Sequence, residues 1–118
     1  MFAFGASVMT QIRTYHIVVH SKGIEGNLQG NSADRDVYVV LPASYASHPA
    51  KRYPVIYYLH GFGDTAKIYV DYINPEAALA RDVRLGEVII VFPDGFSKFG
   101  GSMFADSPVV GGFETFIR

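Results

Sequence analysis

Two uninterrupted apolar runs, Val55-Ile-Tyr-Tyr-Leu59 and Val88-Ile-Ile-Val-Phe92, lie on either side of a stretch with helical periodicity. An apolar run without polar alternation reads as a strand covered on both faces, and such strands sit centrally in an α/β sheet. Between the runs, Ile68, Tyr69, Tyr72 and Ile73 recur at helical spacing. Asn74-Pro75-Glu76 then reads as a fresh helix start, with Asn as N-cap, Pro in the first helical position and an acid in the first turn. Leu79 and Val83 continue the stripe, Arg81 and Arg84 come where a helix C-terminus favours cations, and Gly86 suits a left-handed cap. The pattern predicts a βαβ unit with parallel strands and a right-handed crossover.

Two further strands precede it. Arg13 to Ser21 and Asp36 to Leu41 are rich in Val, Ile and Tyr, the residues that favour a pleated surface. The connection Gly23 to Arg35 holds Gly26-Asn27 and Gly30-Asn31, residues that tolerate positive φ, so it reads as a long hairpin and the leading strands as antiparallel. With 118 residues, 49% of them hydrophobic and 18% charged, the chain can bury one core. The 10 basic and 11 acidic residues are scattered, with no run of one sign to attract nucleic acid or an anionic membrane. The absence of cysteine rules out disulfides, a thiolate nucleophile and cysteine-held metal. The opening MFAFGASVMT is uncharged and too short for a signal peptide or a membrane span, which leaves localisation open. Residues 1–12 read as an extension and 13–118 as the domain.

The third strand ends in His60-Gly61-Phe62-Gly63 and leads into a helix. Glycines there let the backbone turn sharply and approach a ligand, and the turn aims N–H groups outward. Such groups, fixed in advance where negative charge develops, stabilise the oxyanion of acyl transfer. A tight turn with no ligand explains the same residues equally well.

A longer series of segments narrows this. Gly26-Asn-Leu-Gln-Gly-Asn-Ser32, Arg35, Val39-Val-Leu-Pro-Ala-Ser-Tyr45, Arg52-Tyr-Pro-Val55, Leu59-His-Gly-Phe-Gly63, Val91-Phe-Pro-Asp-Gly95, Gly100-Gly-Ser102 and Asp106-Ser-Pro108 follow in order. Together they resemble the putative-esterase family of α/β-hydrolases, which includes S-formylglutathione hydrolases, feruloyl and acetyl-xylan esterases, enterochelin-type esterases and mycolyltransferases. The resemblance runs from about Tyr15 to the last residue. It implies the N-terminal portion of an α/β-hydrolase sheet and a serine nucleophile on a Gly-x-Ser-x-Gly elbow, followed in chain order by an acid and a histidine.

No such elbow occurs here; Gly5-Ala-Ser7 and Gly95-Phe-Ser97 come nearest and lack the second glycine. Phe113, Phe116 and Ile117 open a helical stripe with no C-cap or following strand, so the expectation is a chain that ends before the elbow, inactive alone. The resemblance then implies backbone oxyanion donors at Phe62 and Gly63, and substrate contacts at His60, Gly61, Gly101 and Ser102. The substrate would be a small-molecule or polysaccharide-linked ester or thioester, and no metal or organic cofactor is implied.

Other candidates carry plainer explanations. His16 and His20 share one strand face while His48 and His60 lie apart, so no metal spacing gathers them. His60 reads as a loop brace rather than a base, Asp94 as a turn residue rather than a catalytic acid, and Ser102 as a turn hydroxyl or a pocket lining. Phe96, Phe99 and Phe104 either grip an aromatic or sugar group or pack the loop. Two rival classes remain. One is a self-sufficient, non-catalytic binding module, to be told apart by a stable monomer, since the α/β-hydrolase resemblance implies that the third strand lacks its outer neighbour and leaves an apolar edge. The other takes Gly61-Phe-Gly-Asp-Thr-Ala66 as a dinucleotide fingerprint, which Asp64 beside a pyrophosphate and the lack of an acid about 20 residues on both weaken.

Overall fold

The computed structural model describes residues 11–81 and 87–118. Four strands form a mixed sheet in the order β1-β2-β4-β3: β1 (Arg13–His20), β2 (Asp34–Leu41), β3 (Val55–Tyr57) and β4 (Ile89–Pro93). β1 and β2 pair antiparallel from Arg13↔Leu41 to His20↔Asp34, β2 pairs antiparallel with β4, and β3 runs parallel to β4. The leading hairpin and the parallel pair agree with the sequence reading. In the connection between β1 and β2, Gly26 and Gly30 take φ of 70° and 75°, a region open to glycine at no steric cost.

β4 is central, as its unbroken apolar run implies. β3 is not. It is the sheet edge among the described residues, and Val55, Ile56 and Tyr57 are each about half exposed, because no described residue covers its outer side. Its pairing with β4 carries one residue further, through Tyr58 N–H to Val91 C=O (2.8 Å).

Between β3 and β4 the chain forms α1 (Ala66–Ile73) and α2 (Pro75–Arg81). The inward face of α1 is Ala66, Val70 and Ile73, packed with Val40 and Phe92 of the sheet. Ile68 and Tyr72, placed on the apolar stripe by their spacing, are 50% and 85% exposed, while Ile73 of the same stripe packs on the core beside Ala66 and Val70. Thr65 caps α1 by accepting the Ile68 N–H on its hydroxyl. Asn74 does more than start α2: at φ 50° it closes α1, with its N–H to Val70 C=O (2.9 Å), and its own C=O accepts the Ala78 N–H (3.1 Å). Leu79 packs on the core as the stripe implies. Val83, Arg84 and Gly86 lie outside the described residues, as does Ser7.

After β4 come a loop, a two-stranded ribbon of β5 (Asp106–Ser107) and β6 (Gly111–Gly112), and α3 (Phe113–Ile117). Asp106 caps α3 from the ribbon, accepting the Thr115 N–H (2.9 Å) and hydroxyl (2.8 Å). Those bonds hold its carboxyl below the usual carboxylate range. The hairpin connection docks on this region through Leu28 and Gln29 N–H groups to Pro108 and Val109 carbonyls, and through Asn31 to Val110 C=O. Among the described residues no helix is long and apolar enough to cross a membrane.

Candidate active site

Parallel pairing of β3 and β4 puts the turns that follow them side by side at the carboxyl end of the sheet, where open α/β sheets bind ligands. His60 joins the two turns. Its Nε2 accepts the Gly95 N–H (2.8 Å) and its Nδ1 donates to Gly61 C=O (2.9 Å). Both bonds require the neutral ring with the proton on Nδ1. With neither nitrogen open, His60 acts as a brace and not as a base.

Gly95 is gripped from every side. Its C=O accepts the Ser102 hydroxyl (2.7 Å), and the Phe104 ring lies where a side chain would start, so that a Cβ on Gly95 would meet Phe104 at 2.5 Å. The same ring meets His60 edge-on at 5.3 Å. Met103 and Phe104 reach this position through successive left-handed backbones, φ 58° and 50°, a cost of order 1–3 kcal/mol each that the surrounding contacts must sustain. Ser102 therefore spends its hydroxyl on the turn, donating to Gly95 C=O and accepting the Phe104 N–H. Ser97, the centre of the nearest elbow-like sequence, is buried and donates to Gly101 C=O (2.5 Å) while accepting the Phe99 N–H, which leaves it no role as a nucleophile.

Phe62 sits between these braces. Its ring covers Gly100 and Gly101, where a Cβ on Gly101 would come within 2.7 Å, and its N–H has no partner among the described residues. The Gly63 N–H, expected to be a second donor from the same loop, is committed to Gly100 C=O at 2.7 Å. A backbone at φ 88° turns it there. Of the two donors expected, Phe62 keeps its N–H free and Gly63 does not; the Gly61 N–H beside it is likewise without a partner among the described residues.

His60, Gly61, Phe62, Gly101 and Ser102 line one cavity of about 240 Å³, to which Gly95, Met103 and Phe104 also contribute. Gly63 is not in its wall. A larger cleft of about 460 Å³ opens beside Arg35, Tyr38, Lys67 and Lys98, but Arg35 and Asp94 in its wall are bonded to each other, and none of His60, Gly61, Phe62 and Gly63 lines it. We place the site at the smaller cavity for that reason.

Asp94 does not face the cavity as an acid. It is buried, with one carboxylate oxygen on the Ala66 N–H (2.8 Å) and the other on Arg35 (2.6 Å) and the Phe96 N–H (3.3 Å). The Ala66 bond also answers the dinucleotide reading, because a carboxylate already holds the helix N-terminal N–H to which a pyrophosphate would bind. Among the described residues no three His, Cys, Asp or Glu gather as metal ligands; His16 bonds Asp36, and His20 bridges Asp34 and Glu25. Phe96 and Phe99 are exposed, and Phe104 alone of the three packs into the site. Sequence reasoning gave Arg35 no role of its own, and a lone arginine in a strand carries no signal that it will be buried.

A family model described as "Putative esterase" matches residues 30–116. Among solved structures the chain is similar to a ferulic acid esterase, with 27% identity and a TM-score of 0.72 over 92% of this chain and 40% of that one. It is similar to a CE1 ferulic acid esterase from Anaeromyces mucronatus in complex with ferulic acid, with 31% identity and a TM-score of 0.55 over 72% and 29%. It also shares its fold with S-formylglutathione hydrolase from Staphylococcus aureus, at 16% identity and a TM-score of 0.50 over 81% and 37%. The chain spans less than half the length of each of these proteins. No curated protein matches it.

Proposed function

The chain belongs to the Putative esterase family, and from that premise we propose that it supplies the oxyanion-stabilising part of a serine hydrolase of carboxylic esters or thioesters. The observation that carries the proposal is the Phe62 N–H, which has no partner among the described residues and belongs to a residue in the wall of the cavity, in a loop that His60 ties to Gly95. In this reading a serine attacks the acyl carbon, a histidine takes its proton, and the tetrahedral oxyanion forms against the Phe62 N–H and the N–H that follows the serine. An acyl-serine forms and water then releases the acid. Since these 118 residues hold no Gly-x-Ser-x-Gly, the serine, acid and histidine would come from sequence beyond them, and the chain alone would be inactive.

Similarity to ferulic acid esterases makes aromatic acyl esters the first substrates to try. The test compares the 118-residue chain with the gene product that contains it, on 4-nitrophenyl acetate and methyl ferulate. The chain should be silent and the gene product active. Phe62→Pro, which deletes the N–H, should lower kcat by about 10²–10³-fold, whereas Phe62→Ala, which keeps the N–H but removes the ring over Gly100 and Gly101, should lower it far less. Equal rates for the two variants would remove the N–H from the mechanism.

A further inference from the structure

We propose that Arg35 is a positioning residue for the Phe62 N–H, acting through Asp94; the inference rests on the ester-hydrolase reading above. Arg35 is buried at the start of β2. Its Nη2 donates to the Asp94 carboxylate (2.6 Å) and to Phe96 C=O (2.5 Å), and its Nε donates to Asp94 C=O (3.3 Å). The guanidinium lies over the Phe113 ring, 5.0 Å from its centre. A planar fork that serves several acceptors and stacks on an aromatic face is a task for arginine, not lysine.

Held in this way, Asp94 turns its other oxygen to the N–H of Ala66 (2.8 Å). Ala66 opens α1, and at the other end of the same loop His60 is bound by the Gly95 N–H. The loop 60–66 is therefore pinned at both ends to two consecutive residues, Asp94 and Gly95. Gly63 N–H to Gly100 C=O pins its middle. Phe62 lies between the pins, so the direction of its N–H is set by where they stand. Without the guanidinium, a buried carboxylate loses its cation and is drawn toward water, which releases Ala66. The His60 pin remains but the loop can swing about it, and a misplacement of about 1 Å is enough to cost about 10²-fold in rate.

The test uses Arg35→Met and Arg35→Lys in two settings. In the 118-residue chain, amide hydrogen exchange should quicken at Gly63 and Ala66, the bonded amides on either side of the loop's turn, in Arg35→Met while Val40 and Phe92 stay protected, with Arg35→Lys in between. In the ester-hydrolysing gene product, kcat per folded molecule should fall about 10²-fold with KM within about twofold, and Lys should restore part of it. Exchange that quickens equally throughout, or not at all, overturns the proposal, as does a folded Arg35→Met with wild-type kcat. If Arg35→Met does not fold, Arg35→Lys is judged by the same two readouts. A wild-type gene product without esterase activity would defeat the functional reading instead, and the exchange data would still decide whether Arg35 orders the loop.

Discussion

The Gly95 N–H donates to Nε2 of His60 across 2.8 Å, while Nδ1 of the same ring donates to Gly61 C=O at 2.9 Å. One neutral imidazole thus spans the turns after β3 and β4. His60→Ala leaves a buried N–H unpaired and should cost about 1–3 kcal/mol for that group alone, with more from lost packing on Phe104. The midpoint of urea unfolding measures it, and a wild-type midpoint would show that the bridge carries no stability.

Gly95→Ala is the complementary change. An added methyl would lie 2.5–2.6 Å from the Phe104 ring, and overpacking of this kind typically costs about 1–3 kcal/mol. Gly95→Ala with Phe104→Leu should recover part of the loss in the same unfolding experiment. A double variant no better than Gly95→Ala would place the strain elsewhere.

The far end of β1 carries a pH-dependent clasp. His20 bonds Glu25 and Asp34, and the Glu25 bond first, then Asp34, raises its pKa above the ordinary 6.5. A raised histidine pKa in the folded chain means stability that is fully present below 6.5 and is lost as pH climbs through the raised value. The gap in unfolding midpoint between wild type and His20→Gln should therefore be widest near about pH 6 and close at alkaline pH. Parallel profiles would show that the charge on His20 contributes nothing.

Along β3, Val55, Ile56 and Tyr57 are 49%, 44% and 54% exposed on an edge strand. An apolar, unpaired edge recruits other chains. The isolated 118-residue chain should self-associate with rising concentration in light scattering, and Ile56→Lys should suppress this. A wild-type chain that stays monomeric would contradict it and would favour a self-sufficient binding module.

The hairpin, the parallel pair and the two helical segments were legible because each leaves a local mark: β-branched runs, helical spacing, a Pro after Asn. The residues of the cavity were legible through the family resemblance of Leu59 to Gly63 and Gly100 to Ser102. What local pattern does not carry is mutual placement. Nothing in Val55 to Tyr57 tells an edge strand from a central one, because an apolar strand looks the same whichever neighbour covers it. Of the α1 stripe, Ile73 packs on the core while Ile68 and Tyr72 face outward, because the inward face also takes in Ala66 and Val70, and Ala66 is too small to weigh in an apolar stripe. Gly63 looked like a donor until Gly100, 37 positions later, took its N–H. Arg35 and Asp94 stand 59 positions apart, and their union depends on a fold no single segment describes.

The most direct test of the ester-hydrolase reading is covalent labelling of the gene product that contains this segment with a fluorophosphonate, which phosphonylates activated serines, followed by peptide mass spectrometry. The expected result is a single modified serine in a Gly-x-Ser-x-Gly peptide outside these 118 residues, with the 118-residue chain itself unlabelled. A gene product that takes up no label and hydrolyses no ester, or a label on Ser97 or Ser102, would contradict the assignment of this chain as the oxyanion-holding part of a serine esterase.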